Sequence, residues 1–249
     1  MAAFVAIGIV TALLATEPAR SAAIRAEHEK HAAEHPLLRV TRTAISAFSE
    51  FLTHEMALVA LVFVILYKFC DAFAGAMTTP FVIDLGFSRN DYAAIVKGVG
   101  LVATLIGGFA GGYLARRYSL VASLWIGGVL QAISNLVFAW LAYVGVNQWA
   151  LAAAISAENF TGAIGTVIFV AYLSALCQNP LHTATQYALL TALAAVGRTY
   201  LSSGAGYVAE TTGWPLFFVI SVLVAIPSLI LLAWLQRRGH FEALGPVRV

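Results

Sequence analysis

The sequence predicts an all-α integral membrane protein, from its composition, the length of its apolar segments and the position of its basic residues. Of the 249 residues, 61% are hydrophobic and 10% are charged, and the mean hydropathy is +0.86. A soluble domain of this composition would lack the polar surface that water requires. Six stretches have the length, roughly 20 residues, at which an apolar helix crosses a hydrocarbon core of about 30 Å. We therefore expect six transmembrane helices surrounded by lipid.

The predicted spans follow one another closely from residue 56 onwards. They cover Met56–Met77, Asp91–Leu114, Ser119–Val144, Trp149–Cys177, Thr183–Tyr207 and Trp214–Leu235. In the second span, Gly107 with Gly111 and Gly108 with Gly112 form two overlapping GxxxG pairs, which are typical of close helix packing. Pro227 removes one backbone hydrogen bond from the last span, and we expect a kink there.

The regions outside residues 56–236 are predicted to be one partial helix, a loop and a tail. Met1–Ala15 is apolar but short, and it lacks the basic flank of a signal peptide, so we expect a partial transmembrane helix. Residues 16–55 are predicted to be a cytoplasmic loop and residues 237–249 a cytoplasmic tail. Six apolar residues of the loop have helical spacing, which fits either a helix on the inner membrane surface or a solvated linker helix. They are Leu37, Leu38, Ile45, Phe48, Phe51 and Leu52.

The basic residues predict the orientation of the chain. Ten of the fourteen Lys and Arg residues lie in the loop, in the turn at Arg116 and Arg117, or in the tail. Only Arg89 and Lys97 lie near the opposite ends of the spans. Because basic residues are retained on the cytoplasmic side of a membrane, the loop and the C-terminus are predicted to be cytoplasmic.

Four ionisable residues lie deep within the predicted spans, away from their ends: Lys68, Asp71, Glu158 and Arg198. Each costs on the order of +2.5 to +3.5 kcal/mol at the centre of a membrane helix, so none is expected to face lipid. Lys68 and Asp71 are three residues apart and can pair on one helix face. Glu158 and Arg198 are expected to form a second pair. The pairs either line a path for a solute or for protons, which we favour, or are static contacts between helices.

A short repeat surrounds the two acids. The hexapeptide DAFAGA, which begins at Asp71, resembles ENFTGA, which begins at Glu158. The two hexapeptides lie in the first and fourth predicted spans, which run in opposite directions. Inverted-topology repeats of transporters place equivalent helices in this way.

No catalytic motif is present in the sequence. It contains no G-x-S-x-G, H-E-x-x-H or P-loop pattern, so we expect no enzyme and no cofactor or metal. Cys70 and Cys177 lack metal-ligand spacing and are expected to pack in the interior, whereas His54 and His182 are expected to be interfacial polar residues. A net charge of +2 is too small to indicate a nucleic-acid partner.

Five polar segments carry a resemblance to a known family. They are Tyr67–Ala74 (YKFCDAFA), Thr78 with Thr79, Glu158–Phe160 (ENF) with Gly162, Gly165 and Thr166, Ala184–Leu190 (ATQYALL), and Ala195–Tyr200 (AVGRTY). Together they resemble the AmpG-type anhydromuropeptide permeases of the major facilitator superfamily, over about residues 50 to 236. The resemblance implies that residues 56–236 form one six-helix half of a major facilitator fold.

The resemblance also implies a function and a set of site residues. It implies proton-coupled import of anhydromuropeptides across the bacterial inner membrane, for peptidoglycan recycling. Lys68 and Arg198 would then bind anionic groups of the substrate, and Asp71 and Glu158 would couple proton movement to transport. Further substrate contacts would come from Tyr67, Asn159, Gln186 and Tyr200.

The chain departs from the superfamily pattern in one respect. Members have two six-helix halves around a central site, whereas this sequence resembles the C-terminal half alone. A missing N-terminal half is therefore the expected partner. Two alternatives stay open: a related carrier of another anionic solute, such as an acyl-CoA-like or sugar-phosphate compound, and a non-transporting membrane remnant.

Overall fold

The computed structural model describes residue 14 and residues 36–53, 55–179 and 182–244. The helices are α1 Pro36–Leu52, α2 Ala57–Asp84, α3 Arg89–Ile95, α4 Leu101–Arg117, α5 Leu120–Val144, α6 Gln148–Leu176, α7 Thr183–Ser202, α8 Ala205–Thr212, α9 Trp214–Leu223, α10 Ile226–Arg237 and α11 His240–Ala243. A π-helical turn, Val96–Gly100, joins α3 to α4. Apart from Leu14, the predicted partial helix at Met1–Ala15 lies outside the described residues, as do His54 and the end of the predicted tail.

Among the described residues, five helical stretches have the length and apolar composition of a membrane span. They are Ala57–Asp84, Arg89–Arg117, Leu120–Val144, Gln148–Leu176 and Trp214–Arg237. Five of the six predicted spans are thus recovered, and the chain is a multi-pass membrane protein. The remaining one, Thr183–Tyr207, is helical but consists of α7 and part of α8, and α7 is not apolar enough to be counted although it has 20 residues. Its polar side chains, among them Thr191 and Arg198, lower its hydropathy.

The last span contains the break expected at Pro227. Helix α9 ends at Leu223, α10 begins at Ile226, and Pro227 lies in the first turn of α10. The N–H groups in the first turn of a helix make no hydrogen bond within that helix. A proline there, which lacks an N–H group, therefore costs no helical hydrogen bond. The kink therefore takes the form of a restart of the helix.

One of the two overlapping GxxxG pairs makes the contact that the sequence predicts. Helix α4 packs along α6. A Cβ atom at Gly107 would collide with the carbonyl oxygen of Phe160, and one at Gly111 would lie 3.0 Å from Cα of Ile164. A Cβ at Gly108 or at Gly112 would meet nothing within 4 Å. Gly107 and Gly111 therefore allow the close approach of α4 to α6.

The apolar interior is divided into two clusters along α2 and α6. One cluster contains α2 residues up to Tyr67 and α6 residues from Ile164 onwards. The other contains α2 residues from Phe73 onwards and α6 residues up to Ile155. Lys68 and Asp71 of α2 and Glu158 of α6 fall in the interval between the clusters, so the fold itself sets a polar layer inside the bundle.

Helix α1 accounts for the helical spacing found in the predicted loop. The chain divides into two compact units, residues 1–43 and 44–249, and the residues of α1 from Ala44 onwards belong to the second. Within that unit Ala47 and Phe51 are buried, whereas Ile45, Phe48 and Leu52 are exposed. The choice between an interfacial and a solvated helix stays a prediction, and Leu37 and Leu38 are not among the side chains described.

Candidate functional site

The ion pair predicted within α2 is present and forms the centre of the polar layer. Lys68 Nζ lies 2.8 Å from Oδ2 of Asp71, and Lys68 is 9% exposed. The same ammonium donates a second hydrogen bond, of 3.2 Å, to Oγ1 of Thr166 on α6. A buried ammonium is costly unless it is paired and hydrogen-bonded, and Asp71 with Thr166 meets both conditions.

Glu158 lies in the same layer but is compensated differently. Its Oε1 accepts a hydrogen bond of 3.3 Å from the hydroxyl of Thr78 on α2. The predicted pair of Glu158 with Arg198 is wrong, because Arg198 is exposed on α7 and no described cation lies within ion-pair distance of Glu158. Gly197 faces Ile65 of α2, and the next residue on a helix points about 100° away from its neighbour, which turns Arg198 from this interface.

The two hexapeptides of the sequence repeat face one another in space. A Cβ at Gly162 would lie 3.8 Å from Oδ1 of Asp71, and a Cβ at Gly75 would lie 3.8 Å from Oε1 of Glu158. Each acid thus stands against the glycine of the opposite repeat. Residue numbers rise along α2 from Asp71 to Gly75, while those of the facing residues on α6 fall from Gly162 to Glu158. The two helices are therefore antiparallel at the site. This reciprocal geometry agrees with a local inverted repeat.

The layer carries an unequal number of charges. Lys68 contributes one ammonium, whereas Asp71 and Glu158 contribute two carboxyl groups. With both carboxyls ionised the layer has a net negative charge, which a proton or a cationic ligand group would neutralise. The side chain of Asp71 is 32% exposed, so the ion pair is accessible from one side. Such an arrangement can exchange protons and can bind a charged solute.

Asn159 connects the layer to the π-helical turn. Its Oδ1 accepts a hydrogen bond of 3.1 Å from Thr104 on α4, and its Nδ2 donates to the carbonyl of Ile155 at 2.8 Å. The same Thr104 hydroxyl lies 2.9 Å from the carbonyl oxygen of Gly100, at the end of the turn, so its single hydrogen is shared between this carbonyl and Asn159. π-Helical turns are frequent at functional sites, where they alter the local direction of a helix. Sequence reasoning assigned no role to Thr104.

Two of the predicted substrate contacts are buried with partners of their own. Tyr67 is 3% exposed, its hydroxyl donates to the carbonyl of Leu124 at 3.1 Å, and its ring stacks on Phe169 with centroids 5.7 Å apart. Gln186 is 3% exposed and donates from Nε2 to the carbonyl of Ala47 at 3.2 Å, while its Oε1 has no hydrogen-bond partner among the described atoms.

The other two predicted contacts, Arg198 and Tyr200, are exposed on α7, and Tyr200 is 76% exposed. The structure thus brings together Lys68, Asp71 and Glu158 and leaves Arg198 and Tyr200 on an open surface. Thr78 and Thr166 join the layer although the sequence reasoning quoted them only as part of matching segments. The sequence feature that could have identified them is their spacing: each threonine follows the acid of its own helix by seven or eight residues, which is about two helical turns. Within the described residues, no group of three or more His, Cys, Asp or Glu side chains could hold a metal ion.

Comparisons with known proteins agree with the resemblance of the polar segments. The anhydromuropeptide permease of Escherichia coli K12 is 37% identical over 233 residues, which are 93% of this chain and 45% of the permease. Putative transporter AmpG 4 of Rickettsia felis is 37% identical over 194 residues, which are 78% of this chain and 47% of that protein. The chain therefore spans less than half the length of these curated relatives, whose names are those of transporters and not of enzymes. The family profile described as Major Facilitator Superfamily matches residues 1–202. The chain belongs to the major facilitator superfamily.

Proposed function

We propose that this chain is one half of a proton-coupled transporter that imports anhydromuropeptides across the bacterial inner membrane for peptidoglycan recycling. The observation that carries the proposal is the accessible Lys68–Asp71 pair, 2.8 Å long, in a polar layer between two apolar clusters. Intramembrane charges of this kind mark solute and proton paths by default. The names of the relatives support the same function.

Substrate binding is proposed to begin at Lys68. An anhydromuropeptide carries carboxylates. A ligand carboxylate has the same charge as the side chain of Asp71, so it can compete with Asp71 for the ammonium group of Lys68. The hydroxyl of Thr166 holds Lys68 Nζ at 3.2 Å, so the ammonium keeps one fixed partner while the other is exchanged. Asn159 is proposed to contact the ligand from α6, next to Glu158. Tyr67 and Gln186 are proposed as contacts only after a rearrangement, because both are buried with backbone partners here.

Proton coupling is proposed for Asp71 and Glu158. When a ligand carboxylate displaces Asp71 from Lys68, Asp71 loses its cation and is stabilised by taking up a proton. Glu158 lacks a cation throughout the described residues and is stabilised in the same way, with Thr78 as its hydrogen-bond partner. Proton uptake and ligand binding thus favour one another, which is the linkage that a symporter requires.

Helices α7 and α8 are proposed to form a sixth span, with the loop before α2 and the C-terminus in the cytoplasm. A polar helix is tolerated in a membrane where it lines a path or faces protein. Arg198 and Tyr200 are exposed on α7, and a second six-helix half would supply the protein surface or the path that these side chains need. The site is therefore proposed to lie between this half and an N-terminal half.

The test is uptake of labelled anhydromuropeptide in cells that lack their own permease. The chain is expressed together with the N-terminal half of a full-length relative, and we expect uptake that is lost in Lys68→Met. Lys97→Met is the matched control, because Lys97 is an exposed lysine of another span with no ion-pair partner among the described residues. Absence of uptake with the wild-type chain would contradict the proposal. Competition with sugar phosphates and acyl-CoA-like compounds distinguishes a carrier of another anionic solute.

A further inference from the structure

A cavity with charged and aromatic residues in its lining lies at the end of the bundle where α2 ends and α3 begins. It is a cleft of about 1330 Å³ between the last turns of α2, the helix α3, the helix α8 and the first residue of α9. Its charged lining residues are Asp84, Arg89 and Glu210, and its aromatic ones are Tyr92 and Trp214. None of these residues belongs to the polar layer around Lys68.

The aromatic side chains of the cleft are held in place. Trp214 donates from Nε1 to Oδ2 of Asp84 at 2.6 Å, and its ring packs against Phe81 with centroids 5.3 Å apart. The hydroxyl of Tyr92 lies 3.2 Å from that of Thr79. Side chains that are fixed before binding lose little conformational entropy when a ligand arrives. Both rings combine a flat apolar face with a polar edge, which suits a ligand that is itself part ring and part polar chain.

Two of the three charged side chains of the cleft, in contrast, have no partner among the described residues. Arg89 and Glu210 are exposed, and neither makes a hydrogen bond or ion pair within the described part of the chain. A guanidinium binds a carboxylate through two parallel hydrogen bonds, and the carboxylates of Asp84 and Glu210 suit an ammonium group. The cleft therefore offers complementary charges to a solute that carries both a carboxylate and an ammonium group.

The cleft lies on the same helix as the polar layer. Thr79 lines the cleft, and the preceding residue, Thr78, holds Glu158 in the layer. Asp84 follows Asp71 by 13 residues on α2, which corresponds to about 20 Å along a helix. The inner edge of the cleft therefore lies at the same level along α2 as the edge of the polar layer.

We propose that this cleft is a capture site for zwitterionic solutes that combine a peptide with a sugar ring, which bind there before they reach Lys68. The choice of solute rests on the proposed function, whereas the cleft and its charges do not. Arg89 binds a peptide carboxylate, Asp84 and Glu210 bind the peptide ammonium, and Tyr92 with Trp214 contact the ring.

The test is equilibrium dialysis of a labelled anhydromuropeptide with a diaminopimelate-containing tripeptide against the purified full chain in lipid nanodiscs. We expect Lys68→Met to retain binding, and Arg89→Gln in that background to weaken it by about tenfold, the loss expected for one charge-assisted contact. The peptide-free disaccharide serves as a second probe, and its binding should not respond to Arg89→Gln. Arg116→Gln is the matched control, since Arg116 is exposed at the other end of the Arg89–Arg117 stretch.

Each outcome separates the capture site from the proposed function. Loss of all binding in Lys68→Met, with unchanged binding in Arg89→Gln, would overturn the capture site and leave the central site intact. Equal weakening by Arg116→Gln would reduce the effect to general electrostatic attraction and would also overturn it. No binding of the probe to the wild-type chain would overturn the capture site, whereas the proposed function is judged separately, by uptake in cells that express both halves. Circular dichroism of each variant shows whether the helical content is retained.

Discussion

Helix α6 packs against glycines of two neighbouring helices, α4 and α2, and the glycines have different roles in the two contacts. Against α4, Gly107 would collide through any Cβ with the carbonyl oxygen of Phe160. Against α2, a Cβ at Gly75 would still lie 3.8 Å from Oε1 of Glu158. The α4–α6 contact is closed backbone packing, whereas at the α2–α6 contact a Cβ beside either carboxyl group would lie at ordinary van der Waals distance.

The difference shows that the role of a glycine in a membrane helix depends on what the neighbouring helix presents. Opposite a backbone carbonyl, it allows close van der Waals packing, which drives helix association in lipid. Opposite a carboxyl group, it keeps side-chain atoms away from the carboxyl oxygen, with which a Cβ would already be in van der Waals contact. We therefore expect substitutions in the α4–α6 contact to act on folding, and substitutions in the α2–α6 contact to act on function.

The largest effect on folding is expected for Gly107→Ala. The new Cβ collides with a backbone atom that cannot rotate away, so the helices must separate, at a cost of about 3 kcal/mol. Thermal unfolding in nanodiscs measures the change. Gly108→Ala is the matched control, because a Cβ there meets nothing within 4 Å and should leave the unfolding midpoint unchanged or slightly raised. Equal midpoints for the two variants would contradict the closed packing of α4 on α6.

Lys68→Met is expected to act on both folding and uptake. Loss of one partner from a buried pair costs about 3 to 5 kcal/mol, and the partial exposure of Asp71 reduces this to about 2 kcal/mol. The double variant Lys68→Met with Asp71→Asn removes the uncompensated carboxylate and should recover most of the stability. Uptake should be lost in both variants. Uptake by the double variant would show that the Lys68–Asp71 pair is a structural contact that transport does not require.

Glu158→Gln tests the polar contact between α2 and α6 without leaving an unpaired charge. A glutamine can still accept the hydrogen bond from Thr78, so the unfolding midpoint should hold, whereas proton-driven accumulation should be lost. Uptake at acidic and alkaline external pH measures the coupling. Glu55→Gln, at an exposed carboxyl before α2, is the control that should keep the pH dependence. An unchanged pH profile in Glu158→Gln would exclude this residue from proton coupling.

The sequence predicts those features that depend on one helix at a time. Hydropathy and length locate five spans among the described residues, because the thickness of the bilayer sets the same length and apolar composition for each span. The pair of Lys68 with Asp71 follows from their spacing of three residues on one face. The break near Pro227 follows from its missing N–H group.

The sequence does not determine features that depend on how two helices are rotated and aligned. The spacing of Gly107–Gly111 is identical to that of Gly108–Gly112, and only the rotation of α4 decides which pair meets α6. The rotation of α7 likewise turns Arg198 away from Glu158. The hydrogen bond from Lys68 to Thr166 depends on the register of α2 against α6, which local periodicity does not contain.

A smaller effect, at the α2–α6 contact, is expected for Gly75→Ala. The new Cβ would be in ordinary van der Waals contact with Glu158, so the folding free energy should change by less than about 0.5 kcal/mol. The methyl group fills part of the space beside the carboxyl and should raise the KM for uptake while the unfolding midpoint is kept. Gly112→Ala, in open surroundings on α4, should change neither quantity. A large loss of stability in Gly75→Ala would mean that the α2–α6 contact is closed packing too.

The smallest effect is expected where α6 is approached without glycine, at its C-terminal end. The hydroxyl of Tyr172 lies 3.1 Å from Nε2 of His240, and burial lowers the pKa of this imidazole below its ordinary value of 6.5. Because the unfolded chain then binds the proton more readily, the stability that the neutral ring contributes is complete above pH 6.5 and declines as the pH falls towards the lowered pKa. His240→Gln should remove this decline from the thermal midpoint measured between neutral and mildly acidic pH. The same decline in wild type and variant would assign it to another group, and the contact of α11 with α6 would then be independent of pH.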